Sequence, residues 1–330
     1  MMLAIVGFAI SCASTRQEPL PAYRPVWPPA PDEPRVVFVK SIAGPADIGW
    51  HPSFFRRMGN WITGDDGASQ NLQKPFGIAV DDVGNLCLTD TGNNTVCYLD
   101  LTRKQWRRWN AAGKTRFKTP VAVARKQGVF YVADSELGKV IGFDEAGKTV
   151  LEIAAPLQRP AGLAIAGDAL VVADSQSHSV FVFDLQGKFR FQFGRRGVGP
   201  GEFNFPTHVG VDDRGRLLVT DSLNSRVQTF TADGKFISEF GGSGDTSGHF
   251  GRPKGVAADT FGHIYVADAV YDNVQVFDAG GRLLLNLGET GTRSGQFGLP
   301  NGIAIGRDNR IYITDGYNHR VQVLQYVGAP

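Results

Sequence analysis

The chain has 330 residues, of which 20% are charged, and its formal net charge is only +2. A balance this close to neutral argues against the basic surface that nucleic-acid-binding domains carry, so we expect no nucleic-acid partner. The 41 glycines and 18 prolines indicate many tight turns, and their periodic spacing distinguishes the chain from low-complexity sequence.

The amino-terminal segment predicts export. Residues 1–11 form a largely apolar run that leads directly into Cys12. The run has the length of a secretory signal core and is shorter than the roughly 20 residues of a membrane span. Ala9-Ile10-Ser11-Cys12 resembles a bacterial lipobox, in which the cysteine becomes lipidated. We therefore expect residues 1–12 to be a signal peptide, and the protein to be an envelope lipoprotein of the outer membrane or facing the periplasm.

Two alternatives to the lipoprotein stay open: an ordinary signal peptide cleaved nearby, for example after Ala13, and a cytosolic protein. Residues 13–34 follow the signal and carry seven prolines between Pro19 and Pro34. Because such a segment packs poorly as helix or strand, we expect it to be a stiff, solvated linker. In the lipoprotein interpretation, the lipid on Cys12 is the only attachment to the membrane.

After the linker and the first strand-like run, one sequence motif recurs six times. It consists of a proline before a short apolar run, a glycine-containing turn, an apolar run ending in aspartate, and a third run that contains valine. A fixed period of this length indicates a repeat architecture. The prolines are Pro75, Pro120, Pro160, Pro206, Pro253 and Pro300, and the aspartates are Asp90, Asp134, Asp174, Asp221, Asp268 and Asp315.

Each repeat has the pattern of four short strands. In the fourth repeat, strand-like runs at 208–211, 216–221, 226–230 and 235–240 are separated by polar or glycine-containing turns. No part of this region has helical periodicity. We therefore predict an all-β fold, a six-bladed β-propeller of four-stranded antiparallel blades.

The two ends of the repeat region predict how the ring closes. The last repeat stops after Val321–Tyr326 and lacks a fourth strand, whereas an unpaired strand-like run, Arg35–Ile42, precedes the first repeat. We expect this amino-terminal strand to complete the last blade, because ring closure removes exposed sheet edges. The predicted propeller domain therefore spans residues 35–327.

The repeats resemble NHL repeats over roughly residues 36–326. The resemblance is carried by Pro253-Lys-Gly-Val-Ala, Gly262-His-Ile-Tyr-Val-Ala-Asp268 and Asn273-Val-Gln-Val-Phe-Asp278, and by Ile311–Val323 in the last repeat. It is weaker in the second and third repeats, where Gly138 and Ser177 stand in the place of Asn224 and Asn318. The resemblance implies a rigid propeller, and it puts a uniform ring of identical sites in doubt.

The six aspartates suggest a scaffold role rather than a carboxylate site. An aspartate at a strand-to-turn junction can accept hydrogen bonds from backbone N–H groups of its own turn. Arg226 and Arg320, each five residues after its aspartate, are expected to pair with it. Three glycine-rich loops at 193–203, 240–250 and 287–297 each close with a phenylalanine. They lack the features of a phosphate loop, and we expect each phenylalanine to fasten its loop to the blade.

In a propeller these loops and the aspartate turns lie on one face, and function is usually carried by loops on a rigid scaffold. This face, together with the insert Trp50–Lys74, is the predicted contact surface. At the channel mouth, His208 replaces the glycine or alanine of the other repeats. Phe76, Lys254 and Asn301 occupy the neighbouring position in their repeats, and the four form the candidate binding site for a polar or acidic group.

Catalysis is the rival hypothesis for the same mouth. Propeller lyases related to the NHL type need three histidines on inner strands to hold a metal, and here His208 has no second histidine at an equivalent place. No nucleophile–base pair is evident. We expect no metal, and without a Cys-x-x-Cys-His motif no covalent haem, so no cofactor is predicted. Cys87 and Cys97 are expected to face each other across a hairpin, where an exported protein could form a disulfide.

These observations favour a non-catalytic, anchored propeller that binds a protein or an envelope polymer through its loop face. The resemblance implies an envelope partner, with a multihaem cytochrome system as one candidate. The alternative is a lactonase- or lyase-like hydrolase acting near His208.

Overall fold

The repeats fold into separate antiparallel sheets arranged as the blades of a ring in a computed structural model, which describes residues 24–50 and 70–328. The signal, including Cys12, lies outside the described residues, as do residues 51–69 of the insert. No helix among the described residues is long and apolar enough to cross a membrane.

The first half of the ring follows two amino-terminal strands, β1 (Val26–Trp27) and β2 (Val36–Ile42), and a 3₁₀ helix (Pro45–Ile48). Blade 1 contains β3 (Pro75–Val80), β4 (Leu86–Asp90), β5 (Thr95–Asp100) and β6 (Gln105–Trp109). A small hairpin, β7 (Ala111–Ala112) and β8 (Thr115–Arg116), leads on. Blade 2 contains β9 (Pro120–Lys126), β10 (Val129–Asp134), β11 (Lys139–Phe143) and β12 (Thr149–Ile153). Blade 3 contains β13 (Pro160–Ala166), β14 (Ala169–Asp174), β15 (Ser179–Asp184) and β16 (Phe189–Phe193).

The second half has the same order of strands. Blade 4 contains β17 (Pro206–Val211), β18 (Leu217–Asp221), a 3₁₀ turn (Ser222–Asn224), β19 (Arg226–Phe230) and β20 (Phe236–Gly241). Blade 5 contains β21 (Pro253–Ala258), β22 (Ile264–Asp268), β23 (Asn273–Phe277) and β24 (Leu283–Leu287). Blade 6 contains β25 (Pro300–Ile305), β26 (Arg310–Asp315) and β27 (Arg320–Tyr326). The six-bladed prediction is confirmed.

Blade 6 is built from both ends of the described chain. Its sheet has the order β1-β2-β27-β26-β25. Strand β2 runs antiparallel to β27, with Val36 opposite Tyr326 and Ile42 opposite Val321. Val36 and Ile42 are fully buried, so the closing strand contributes side chains to the core as well as backbone hydrogen bonds. The predicted closure by the amino-terminal strand is confirmed.

The last part of the predicted linker is not a free spacer. Strand β1 adds to the outer edge of β2, with Val26 opposite Val37 and Trp27 opposite Val36. Trp27 packs against the core shared by blades 5 and 6. The linker prediction is wrong for this stretch because β2 offers an unpaired edge, and the tryptophan covers it with apolar surface. The sheet therefore begins before residue 35.

Glycine at the mouth-side end of the inner strands sets the spacing of the blades. A Cβ at Gly77 would lie 2.4 Å from the carbonyl oxygen of Val121, and one at Gly302 would lie 2.4 Å from that of Phe76. At these two junctions the neighbouring inner strands thus approach too closely for a side chain at this position. His208 occupies the same position in blade 4, so this junction must accommodate an imidazole.

The two cysteines do not face each other. Cys87 lies opposite Tyr98, and Cys97 lies opposite Leu88. Because successive residues of a strand point to opposite faces, this offset of one residue places the thiols in different cores. Both are free and buried, and burial raises the pKa of each thiol. The predicted facing pair is therefore wrong, and no disulfide joins them.

Candidate functional site

The repeated aspartates hold the mouth-side loops in place. The Asp90 carboxylate accepts hydrogen bonds from the backbone N–H groups of Gln73 (2.9 Å), Lys74 (2.8 Å) and Gly92 (3.0 Å). Equivalent bonds to the preceding loop recur at the other five aspartates. In most blades the carboxylates accept bonds from the backbone of their own turn, as predicted. In blades 1, 2, 3 and 5 they also accept a bond from the backbone N–H of the residue that precedes the repeat proline.

In blades 4 and 6 these carboxylates also bind side chains. Arg226 Nε donates to Asp221 at 3.0 Å, and Arg320 Nε donates to Asp315 at 2.8 Å. The same guanidinium groups donate to carbonyl oxygens of the glycine-rich loops. The predicted local pairing is present, and it continues into the loop.

Each glycine-rich loop closes with a buried phenylalanine. Phe203, Phe250 and Phe297 have no exposed surface. A Cβ at Gly194 would lie 2.4 Å from the Phe203 ring, so the ring packs directly against the loop backbone. The loops are therefore fastened to their blades, as predicted.

A pocket of about 260 Å³ lies at the mouth of the channel. Among the described residues, its wall carries three cations, Arg159, Arg252 and Lys254, and no carboxylate. The remaining residues are hydroxyl, imidazole or apolar groups from blades 1–5: Phe76, Val121, Ser135, Ala161, Ser175, Phe205, Thr207, His208, Ser222 and Leu223. The pocket is therefore an electropositive recess with several hydrogen-bonding groups.

The three cations have no ion-pair partner among the described residues. Among the ion pairs of the described residues, none involves Arg159, Arg252 or Lys254. Burial, with the nearby Arg252 cation as a second cause, lowers the pKa of Lys254 to about 8. An anion in the pocket would raise the pKa of Lys254 again, because opposite charge favours the protonated amine.

His208 and two threonines leave buried polar atoms unpaired beside the pocket. Among the described residues, His208 Nδ1, Thr207 Oγ1 and Thr220 Oγ1 have no hydrogen-bond partner. In blades 1 and 6 the equivalent threonine hydroxyls, of Thr89 and Thr314, accept a bond from the inner-strand glycine. In blade 4 His208 stands in the place of the inner-strand glycine. The equivalent threonine there is Thr220, and its hydroxyl has no partner among the described residues. Such buried orphans are rare and call for an explanation such as an absent ligand.

The imidazole is neutral at physiological pH. His208 is 9% exposed. Burial, followed by the nearby Lys254 cation, lowers the pKa of His208 to about 4. The ring can therefore offer one N–H donor and one nitrogen acceptor to a group in the pocket.

Three of the four predicted mouth residues meet in this pocket, namely Phe76, His208 and Lys254. Asn301 is buried and does not line it, since its side-chain amide donates to the Leu299 carbonyl oxygen at 2.8 Å. Sequence reasoning missed Arg159 and Arg252. The sequence did contain a signal for them, because both residues directly precede a repeat proline. The repeat aspartate binds the backbone N–H of each and so holds it at the mouth.

No group of three or more histidine, cysteine, aspartate or glutamate side chains in the described part of the chain is arranged to hold a metal ion. The chemistry available in the pocket is that of cations, hydroxyls and one neutral imidazole.

Comparisons with known proteins agree with the repeat and the fold. A family model described as a 6-bladed beta-propeller matches residues 152–239, and one for the NHL repeat matches residues 297–324. Protein brain tumor of Drosophila melanogaster is 38% identical over 53 residues, which are 16% of this chain and 5% of that protein. The shared part is therefore a small fraction of that relative.

Solved structures with the same fold include two lyases and a synthase. A streptogramin B lyase has a TM-score of 0.59 at 13% identity, with 78% of this chain and 94% of that chain covered. A catalytically inactive virginiamycin B lyase from Staphylococcus aureus with quinupristin has 0.56 at 13%, covering 77% and 95%. Hydrazine synthase of Kuenenia stuttgartiensis has 0.55 at 15%, covering 76% and 95%. At these identities the likeness shows the fold alone.

Proposed function

Starting from a six-bladed propeller with NHL repeats, we propose that the protein is an exported, lipid-anchored binding scaffold without catalytic activity. Its channel mouth holds an acidic group of another envelope protein or polymer. The observation that carries this proposal is the recess, whose described wall holds three cations without an ion pair and no carboxylate. Arg159 and Arg252 are exposed and Lys254 is half-buried, and three cations close together with no carboxylate among the described pocket residues are suited to an anionic ligand.

The groups around the cations also suit binding. Two arginines provide planar N–H donors for an oxygen anion, and Lys254 provides a partly buried point charge. Thr207 and His208 offer further polar atoms with no partner in the described structure. An acidic group entering the recess would meet charge and hydrogen-bond donors together, which is the arrangement that gives electrostatic specificity.

A charge-matched peptide pair tests this binding. The probes are an alternating Glu–Ser peptide with blocked ends and a Gln–Ser peptide of the same length, titrated calorimetrically. We expect only the acidic peptide to bind. The double substitution Arg159→Gln/Arg252→Gln should weaken its binding about tenfold or more, since charged hydrogen bonds contribute roughly 1.5–3 kcal/mol.

The matched control for this experiment is Arg214→Gln. Arg214 is exposed in the turn between β17 and β18, at the end of blade 4 opposite to the mouth, so its loss should leave the affinity unchanged. Equal binding of both peptides, or equal binding to all variants, would overturn the proposal.

Anchoring is tested separately. An acyl chain contributes roughly 0.8 kcal/mol of membrane affinity per buried CH₂, and the near-neutral chain offers no comparable attraction. Cys12→Ser should therefore move the protein out of the membrane fraction and leave its circular dichroism unchanged. Unchanged membrane partition would contradict the anchor. Pull-down from envelope fractions would then test the proposed partners, with a multihaem cytochrome among the candidates.

One observation favours the alternative, a lactonase- or lyase-like hydrolase. His208 presents a neutral imidazole to a pocket, and displaced pKa values in a cleft are a feature of active sites. The substitution His208→Gln is expected to have different effects under the two functions. For a binding site, affinity for the acidic peptide falls by a few fold and no turnover exists to be lost. Loss of a measurable lactone-hydrolysing or lyase activity, with the fold intact, would establish the enzyme instead.

A further inference from the structure

Exposed apolar side chains border the recess on one side only. Two positions of each repeat lie at the mouth: the residue before the proline, and the residue two places after the aspartate. In blades 4–6 five of these six positions carry exposed apolar side chains, which we name the apolar crescent: Phe205, Leu223, Val270, Leu299 and Tyr317. In blades 1–3 the equivalent residues are polar or glycine: Lys74, Gly92, Thr119, Glu136, Arg159 and Gln176.

Three members of the crescent lie beside the recess. Phe205 and Leu223 themselves line the pocket. Val270 lies against Gly251, where an added Cβ would come within 2.8 Å of it, and Gly251 is followed by Arg252 in the pocket wall. A ligand that reaches the cations therefore passes beside apolar surface.

The exposure of the crescent is large. Leu223 is 47% exposed, Val270 55% and Tyr317 69%. Single exposed apolar residues are common, but a cluster rimmed by polar residues marks an interaction surface. The repetition at one structural position in three successive blades argues against chance placement.

Two members of the crescent hold an unfavourable backbone conformation. Phe205 has φ 60° and Leu299 has φ 53°, in the left-handed region where glycine is favoured and bulky residues are rare. Glycine is abundant in this chain, yet these two positions carry large apolar side chains. Strain retained at a surface position is typical of a functional site.

We propose that the mouth docks an acidic segment of a partner protein, with its carboxylate among Arg159, Arg252 and Lys254 and its neighbouring apolar side chains on the apolar crescent. This inference rests on the proposed function and narrows its ligand from any acidic group to a peptide segment. Acidic and apolar side chains in close succession are a property of proteins.

Two other macromolecules fit the observations less well. An acidic polysaccharide matches the cations but gains little from Leu223, Val270 and Leu299, because its surface consists of hydroxyls and carboxylates. An anionic membrane would match both charge and apolar surface, but a membrane needs cations that project. Arg159 and Arg252 are exposed, whereas Lys254 is half-buried in a recess, which suits a single inserted carboxylate better than a flat surface.

The test compares four probes on the full chain: an alternating Glu–Leu peptide with blocked ends, a Glu–Ser peptide of equal length, an oligogalacturonate of equal charge, and phosphatidylglycerol vesicles. We expect the Glu–Leu peptide to bind most tightly, about tenfold or more above Glu–Ser, because burying even one leucine is worth that factor.

The variants separate the two parts of the surface. Leu223→Ser/Tyr317→Ser should reduce Glu–Leu binding about tenfold and leave Glu–Ser binding unchanged, whereas Arg252→Gln should weaken both. Val83→Ser is the matched control, since Val83 is an exposed apolar residue in the β3–β4 turn, away from the mouth. A fold check by circular dichroism accompanies each variant.

Several results would overturn the inference. Equal affinity for Glu–Leu and Glu–Ser, with Arg252 still required, would remove the apolar part and leave the proposed function intact. Tightest binding of oligogalacturonate or of vesicles would assign the mouth to that class. No binding of any acidic probe would overturn both proposals.

Discussion

In blades 4 and 6 the aspartate that ends the second strand binds an arginine and a glutamine as well as backbone N–H groups. In blades 2 and 3 the same carboxylate is bonded, among the described residues, by backbone N–H groups alone. The two halves of the ring, blades 1–3 and blades 4–6, also differ at the mouth. Blades 4–6 expose the apolar crescent, and blades 1–3 expose polar groups.

Each repeat therefore has one set of positions that holds the fold and another that faces the mouth. The aspartate, arginine and glutamine positions point into the loop and hold its backbone. The residue before the proline and the second turn residue point outward and vary without disturbing that network. A repeat can therefore keep its architecture while its mouth residues change from polar to apolar, or acquire a cation.

The largest effect is expected from removing the strand on which the whole ring depends. Deleting residues 36–42 removes β2, unpairs the edge of β27 and takes Val36 and Ile42 from the core. We expect unfolding or aggregation, measured by circular dichroism and size-exclusion chromatography, because an open ring exposes sheet edges.

The control for this deletion removes residues 24–34, which carry β1 and not β2. That variant should fold with a lower melting temperature, through loss of Trp27 packing. A soluble monomer with a native spectrum after loss of 36–42 would show that the ring does not need its closing strand.

The next largest loss of stability is expected from an aspartate that binds side chains, compared with one that binds only backbone N–H groups. Asp315→Asn leaves the guanidinium of Arg320, whose side chain is 12% exposed, without its carboxylate. Breaking a buried charge pair in this way costs about 3–5 kcal/mol. Asp134→Asn loses bonds to backbone N–H groups only, at about 1–3 kcal/mol. Equal losses in urea unfolding would mean that the side-chain network adds nothing to blade 6.

A pH-dependent loss of stability should come from His208 in blade 4. Its pKa is about 4 when folded and 6.5 in its ordinary state, so the unfolded chain binds the proton first as the pH falls. The free energy of unfolding should therefore decrease from about pH 6.5 down to about pH 4, by a total of about 3 kcal/mol. Wild-type and His208→Gln curves that run parallel over this range would contradict the assignment.

The smallest change in stability is expected from a substitution at the mouth itself. Lys254 is a partly buried cation next to another cation, and it has no ion pair among the described residues. Lys254→Gln should leave the free energy of unfolding unchanged or raise it by up to about 1 kcal/mol, since functional sites commonly sacrifice stability. A loss beyond 1 kcal/mol in chemical denaturation would show that Lys254 serves the fold.

The architecture was readable from the sequence because the repeat encodes it locally. Alternating apolar runs, the proline and the aspartate recur at one spacing, and the missing strand of the last repeat indicated how Arg35–Ile42 would be used. Strand β1 was not readable, because a proline-rich segment carries no strand pattern. Its pairing depends on the free edge that β2 provides.

The site was readable only in part. His208 was identified because it breaks a repeat position, and Lys254 and Phe76 because they flank that position. Arg159 and Arg252 were missed since their direction depends on the bonds that Asp174 and Asp268 make to the preceding loop. The prediction that Cys87 and Cys97 face each other was wrong because of a register offset of one residue, which spacing in the sequence does not determine.

The most direct test of the central claim is the pKa of Lys254, measured by NMR on protein with labelled lysine side chains. The claim is that the mouth holds cations that await an anion. It predicts a pKa of about 8 in the free protein, against the ordinary 10.5, and a rise of about one unit or more when the Glu–Ser peptide saturates the mouth. A pKa near 10.5 in the free protein, or one that the peptide leaves unchanged, would contradict it.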